Sequence, residues 1–307
     1  MIHHYFRKTV AGAMTEVDEA TSGVWTHMAG PSPEEFLNVI EKYNLEDTIV
    51  EDIKDFFEVP RFEIEGPNAY FFTRYPYDVK DHDIDTAPIL FILNENSIIT
   101  IAEQEVPFLR AFAEGKREFS TTEKTGLFLE FLTELMVAYE RKLTRIRKMV
   151  YKDMGRVRSI KGKDLQRLVF IEQELNEVIS ALVPTNVWIN QLAKGNRIKF
   201  LEDDRELLED LLIECGQLID STKSILKTIQ NIRGATEAIL TQGLNNTLRT
   251  LTAVTIVLTI PTLVSSLFGM NVPNPMESYA QAFWIIVAVI MIVVGVTIYF
   301  FNKNRWM

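Results

Sequence analysis

Seven residues near the end of this 307-residue chain follow steps of three and four: Asn245, Leu248, Thr252, Thr255, Thr259, Thr262 and Ser266. On an α-helix that spacing puts all seven on one face, and six of them are polar. The other faces of the same segment carry Leu251, Val254, Ile256, Val257, Leu258, Leu263, Val264 and Leu267. Hydroxyls and amides of this kind hydrate a path without fixing an ion tightly. Two readings fit. Small hydroxylated residues let helices approach closely and hydrogen-bond across the contact. Alternatively, symmetric copies of the helix line a pore, and Leu248 with Leu251 beside it forms a ring that closes the pore by dewetting.

The stripe lies in a segment long enough to cross a bilayer. No residue between Arg249 and Glu277 is charged, nor any between Glu277 and Lys303. Each gap exceeds the roughly 20 apolar residues a spanning helix needs. Spans are therefore expected over Leu251–Phe268 and Tyr279–Phe301. The N-terminal stretch "MIHHYFRKTVAGAMTEVDEA" has no continuous apolar core, so no signal peptide is read there. The tail "NKNRWM" carries Lys303 and Arg305, and the loop between the spans has neither Lys nor Arg. Positive-inside bias then places both termini in the cytoplasm and the loop outside.

The elements before the spans have to hold them in place. The first hundred residues mix strand and helix signals: "GVWTHMAG" as a strand, then "SPEEFLNVIEKY" as a helix with Ser32 at the N-cap, Pro33 at N1 and Glu35 closing a capping box. Hairpins are expected at Gly66-Pro67-Asn68 and at Asn94-Glu95-Asn96. From Thr122 apolar residues recur at helical spacing, and a second helix starts near Lys163 and stops at or soon after Pro184. No proline interrupts the chain from about Leu201 to Pro261, which predicts one helix from Leu201 to Phe268, roughly 100 Å long at 1.5 Å per residue. Such a helix is not stable alone, so an oligomer bundled about an axis is expected.

Composition narrows the function. The net charge of −10, from 42 acidic and 32 basic residues, argues against nucleic acid as a partner. The one cysteine, Cys215, excludes an intramolecular disulfide. No nucleophile–base pair, phosphate loop or Cys/His cluster points to catalysis or to an organic cofactor. His3 and His4 are adjacent but read as an ordinary N-terminus, with no third ligand in view.

After the stripe comes "FGMNVPNPME", in which Gly269-Met270-Asn271 closes the first span. With two C-terminal spans, a loop whose one charge is Glu277, and a long cytoplasmic region before them, this resembles the CorA family of divalent-cation channels and transporters. The resemblance implies an α+β cytoplasmic domain followed by long stalk helices and two C-terminal transmembrane helices, assembled as a pentameric funnel in a cell (inner) membrane. It divides the chain into an α/β domain (1–120), antiparallel helices (121–200), a stalk helix continuing into the first span (201–269), an external loop (270–278), the second span (279–301) and a basic tail (302–307). The implied activity is passive, potential-driven entry of hydrated Mg²⁺, with Co²⁺ or Ni²⁺ as further cargo. Gly269, Met270 and Asn271 take the place of the entry filter. Magnesium surrenders water reluctantly, so neutral amide acceptors suit its hydration shell. Asn245, Leu248, Leu251, Thr255, Thr259 and Thr262 fall where relatives line the pore, Thr252 and Ser266 extend the stripe, and Glu277 adds an acidic ring at the mouth.

The resemblance also implies feedback by cytoplasmic Mg²⁺, bound between subunits by Asp210 with Glu51 and Asp52; solvated helix charge is the alternative for those residues. A proton-linked zinc transporter of the same superfamily, or a membrane-anchored scaffold, would share parts of this pattern.

Overall fold

A computed structural model describes residues 2–18, 22–79, 82–155, 160, 162–195, 198–271, 279–304 and 306. It divides into two units, Met1–Ile232 and Arg233–Met307.

The first unit is built on seven strands: β1 (Ile2–Phe6), β2 (Thr15–Glu16), β3 (Trp25–Ala29), β4 (Arg61–Glu65), β5 (Asn68–Val79), β6 (His82–Leu93) and β7 (Ile98–Ala102). They form one sheet in the order β2-β1-β3-β7-β6-β5-β4. All neighbours are antiparallel except β3 and β7, which run parallel with Trp25 opposite Ile98 and Ala29 opposite Ala102. Successive side chains point to opposite faces. Tyr70, Phe72, Leu90 and Ile92 therefore face one way, against α1 (Pro33–Tyr43) and α2 (Asp47–Glu51). Phe71, Tyr75, Ile89 and Phe91 face the other, against α3 (Arg110–Ala113), α4 (Lys124–Met154), α5 (Gly162–Lys194) and the start of α6 (Glu202–Phe268). Cys215 is wholly buried in that second core.

Local signals start the helices. Ser32 Oγ accepts from the Glu35 amide at 3.2 Å, and the Glu35 carboxylate accepts from the Ser32 amide at 2.7 Å, so the expected capping box is present. Asn44 ends α1 with φ 48°, a left-handed conformation that Asn tolerates. Asp204 lies in the first turn of α6, where it accepts from the Leu201 amide at 3.2 Å and from Thr125 Oγ1 at 2.7 Å, tying α6 to α4.

One expectation is corrected. The helix α5 does not stop near Pro184 but runs on to Lys194. An interior proline costs a helix about 3 kcal/mol. Beyond it, Thr185, Trp188, Ile189 and Leu192 are all buried, and their packing outweighs that cost. The strands β1 and β2 lie in the N-terminal stretch, to which the sequence alone assigns no particular element.

The aromatic cluster at the sheet–helix boundary anchors this unit. Phe128 is fully buried, with ring centroids 4.4 Å from Phe71, 5.6 Å from Phe91 and 6.4 Å from Trp188. Truncation there leaves a cavity that three rigid rings cannot refill. Phe128→Ala is expected to cost about 3–5 kcal/mol of stability, read by denaturant unfolding of the full-length protein. A loss below about 1 kcal/mol would show that the cluster is not the anchor.

The second unit holds the rest of α6 and α7 (Ala282–Lys303). Both helices are long and apolar enough to cross a membrane.

Candidate ion pathway and acidic groove

In the second unit α6 presents its hydroxyl stripe uncovered. Asn245, Thr252, Thr255, Thr259, Thr262 and Ser266 are all exposed, as are Leu248 at 50% and Leu251 at 61%. The shielded residues of this stretch are Ala253, which is wholly buried, and Val257, Ile260, Pro261 and Val264. At 100° per residue, this shielded row lies roughly 140° around the helix from the stripe. Contacts made inside the chain thus leave the hydroxyl face open.

The hydroxyls have a fixed sense. Thr252, Thr255, Thr259 and Thr262 each donate to the carbonyl four residues earlier, on Leu248, Leu251, Thr255 and Leu258, at 2.8–2.9 Å. A hydroxyl has one hydrogen and two lone pairs. With the hydrogen spent on the helix, each threonine offers the open face acceptor oxygen alone. A cation's first-shell waters point their hydrogens outward, so a row of acceptors suits a hydrated cation.

The stripe leads to a tight helix end. Helix α6 stops at Phe268, and the Gly269 amide donates to the Ser265 carbonyl at 2.9 Å. A Cβ at Gly269 would stand 3.1 Å from that same carbonyl, which is why glycine suits the position. Met270 and Asn271 follow, both exposed in the single chain. Glu277 and most of the 270–278 loop lie outside the described residues, as do two residues of the 302–307 tail.

The predicted regulatory carboxylates fall in two places in the first unit. Glu51 pairs with Lys54 at 3.2 Å, and Asp52 pairs with Arg61 at 2.5 Å; Arg61 also contacts Glu58 and Glu63. Asp210 instead lines a groove between α4 and α6 with Glu140, Glu214, Arg147 and Ser221. One chain therefore does not bring Asp210 to Glu51 and Asp52. Among the described residues, no group of three or more His, Cys, Asp or Glu side chains is arranged to hold a metal ion. Sequence reasoning missed Glu140 and Glu214. Asp210 and Glu214 stand four apart on one helix face, a legible pair, but Glu140 joins them only through the packing of α4 on α6. Partial burial first, and then the charges of Glu140 and Asp210, hold the Glu214 carboxyl above its ordinary value of 4.5.

Comparison with known proteins identifies the scaffold. The family described as "CorA-like Mg2+ transporter protein" matches residues 21–303. The chain belongs to that family. CorA proteins transport ions and are not enzymes. The cobalt/magnesium transport protein CorA of Methanocaldococcus jannaschii is 22% identical over 295 residues, covering 92% of this chain and 91% of that protein. The magnesium transport protein CorA of Salmonella typhimurium is 23% identical over 312 residues, with 95% of each covered. The complete structure of the CorA magnesium transporter from M. jannaschii superposes with a TM-score of 0.90 at 18% identity, covering 100% of this chain and 99% of the other. The CorA fold, with its α+β domain, long helices and two C-terminal apolar helices, is thus the fold of this chain.

The groove carries a pH signature whose sign follows from the raised carboxyl. Glu214 binds its proton more tightly folded than unfolded, so the stability this confers is present below its ordinary value and is lost as pH rises through the raised one. Glu214→Gln is expected to flatten the dependence of the thermal midpoint between about pH 4.5 and neutrality, and to raise the midpoint at neutral pH in the presence of a chelator. Identical pH profiles for the two proteins would remove the repulsion from the groove.

Proposed function

We propose that this CorA protein is a homopentameric channel for passive, potential-driven entry of hydrated Mg²⁺, with Co²⁺ and Ni²⁺ as further cargo. The observation that carries the reading is the uncovered row of acceptor-only threonine oxygens on α6, which leads to Gly269-Met270-Asn271. Copies of Thr252, Thr255, Thr259, Thr262 and Ser266 about an axis line a wet path, and Asn245, Leu248 and Leu251 narrow its inner end. Asn271 amides form the filter, and Glu277 concentrates cations at the outer mouth.

In this reading the protein sits in the inner membrane with both termini cytoplasmic, and the domains divide at 120, 200, 269, 278 and 301. The membrane potential favours entry of a divalent ion by about 4–5 kcal/mol per 100 mV, so no other energy source is required. Cytoplasmic Mg²⁺ bound between Asp210 of one subunit and Glu51 and Asp52 of the next closes the path. Removing it leaves carboxylates facing one another, and their repulsion loosens the interface. The Asp52–Arg61 and Glu51–Lys54 pairs are surface ion pairs of the kind worth about 0–1 kcal/mol, so they yield readily to a divalent ion.

Purified protein in proteoliposomes tests both parts. Native protein is expected to take up Mg²⁺ with the potential, and Asn271→Ala to lower the initial rate about tenfold or more, equivalent to about 1.4 kcal/mol. Magnesium sealed inside is expected to suppress native uptake but not uptake by Asp210→Asn. Uptake of Zn²⁺ on a proton gradient without Mg²⁺ movement would replace the reading with that of a zinc transporter. Movement of no divalent ion would leave α6 and α7 as an anchor.

A further inference from the structure

A cavity of about 450 Å³ opens at one corner of the sheet in the first unit, between side chains of β1 and β3 and the short helix α3. It shares no lining residue with the stripe, the filter or the acidic groove. His27 lines it and is 7% exposed.

The proton on this histidine can be placed. Thr100 is completely buried, and its Oγ1 lies 3.0 Å from Trp25 Nε1 and 2.8 Å from His27 Nδ1. An indole N–H only donates, so Thr100 accepts from Trp25. Its own hydroxyl hydrogen then needs an acceptor, since a buried donor left unpaired costs about 1–3 kcal/mol. His27 Nδ1 is that acceptor. Burial above all, with the nearby His3, lowers the His27 pKa to about 4, so the ring is neutral near pH 7. A neutral imidazole that accepts at Nδ1 carries its hydrogen on Nε2. That Nε2–H has no hydrogen-bond partner among the described residues. The relay from Trp25 through Thr100 thus ends in an unspent donor on the ring that lines the cavity.

Two further donors, Tyr5 and Arg110, line the cavity beside His3 and Gln104. Burial first, and then Glu16, raise the Tyr5 pKa, keeping that hydroxyl a donor. At the mouth Arg110 Nε holds Glu114 at 2.9 Å, while its terminal nitrogens have no partner among the described residues. Val106 and Leu109 supply an apolar wall, and Glu105, an exposed residue, is the one lining carboxylate.

We propose that this cavity binds a small organic carboxylate carried on an apolar body. Its oxygens accept from His27 Nε2–H, Tyr5 O–H and the Arg110 guanidinium, and its body lies against Val106 and Leu109. Thr100 is the positioning residue, since it sets which nitrogen of His27 donates.

Sodium benzoate and its neutral isostere benzamide probe the site by calorimetry on the full-length protein in detergent. Benzoate is expected to bind native protein with a millimolar Kd, and benzamide about tenfold more weakly. His27→Leu and Arg110→Met should each weaken benzoate about tenfold, while His27→Gln, which keeps an N–H, should recover part of the loss. Thr100→Val should weaken it and Thr100→Ser restore it. The Arg110 side chain is 66% exposed, so its variant tests the site even if a His27 variant does not fold. Equal benzoate binding by native protein and Arg110→Met would overturn the site, as would no saturable binding by native protein. Equal binding of benzamide and benzoate would overturn the carboxylate class.

Discussion

A backbone amide or carbonyl carried into hydrocarbon without a partner costs several kcal/mol, and the C-terminal third of this chain is organised by that constraint. Helix α6 meets it with one hydrogen-bond ladder from Glu202 to Phe268, broken in donors only at Pro261, which leaves the Val257 carbonyl without its usual amide. The threonines follow the same logic. Each of Thr252, Thr255, Thr259 and Thr262 returns its hydroxyl hydrogen to a carbonyl of the helix that carries it. The polarity of the stripe is thus a by-product of satisfying donors, and the chemistry it offers to an ion follows from that.

Charge is distributed by the same economy. Within the two spans the polar groups are neutral; carboxylates are confined to segments outside them. Neutral oxygens hold a hydrated ion weakly enough to release it. Carboxylates hold a cation more strongly than neutral oxygens do. Glu140, Asp210 and Glu214 show the cost of gathering such groups, since the Glu214 carboxyl already retains its proton more tightly than in free solution.

The features legible in the sequence were those that depend on one segment at a time. Two charge-free gaps gave the spans, steps of three and four gave the stripe, and Ser32 with Glu35 gave a cap whose geometry is purely local. The Gly269-Met270-Asn271 motif gave the family. What was not legible depends on distant partners. Strand β1 reads as a histidine-containing N-terminus until β3 supplies its ladder and Thr26 a partner for His4 at 2.9 Å. Pro184 reads as a stop until the burial of Trp188 and Ile189 is known. Glu140 reads as one more exposed helix charge, because nothing in its own segment says that α6 will bring two further carboxylates beside it. His27 alone has no meaning; its tautomer is fixed by a threonine on β7.

The parallel pairing of β3 with β7 has a kinetic side. One side of that ladder is β2-β1-β3, and the other is the meander β4 to β7, each closed by short connections. The two ribbons meet only where Trp25–Ala29 lies beside Ile98–Ala102, and the chain must first bridge everything between them. Closing so long a loop spends entropy before any contact repays it. The meander can pair within itself as soon as it is made, whereas the β3–β7 seam waits for both halves, and Trp25, Thr100 and His27 acquire their hydrogen bonds at that late step.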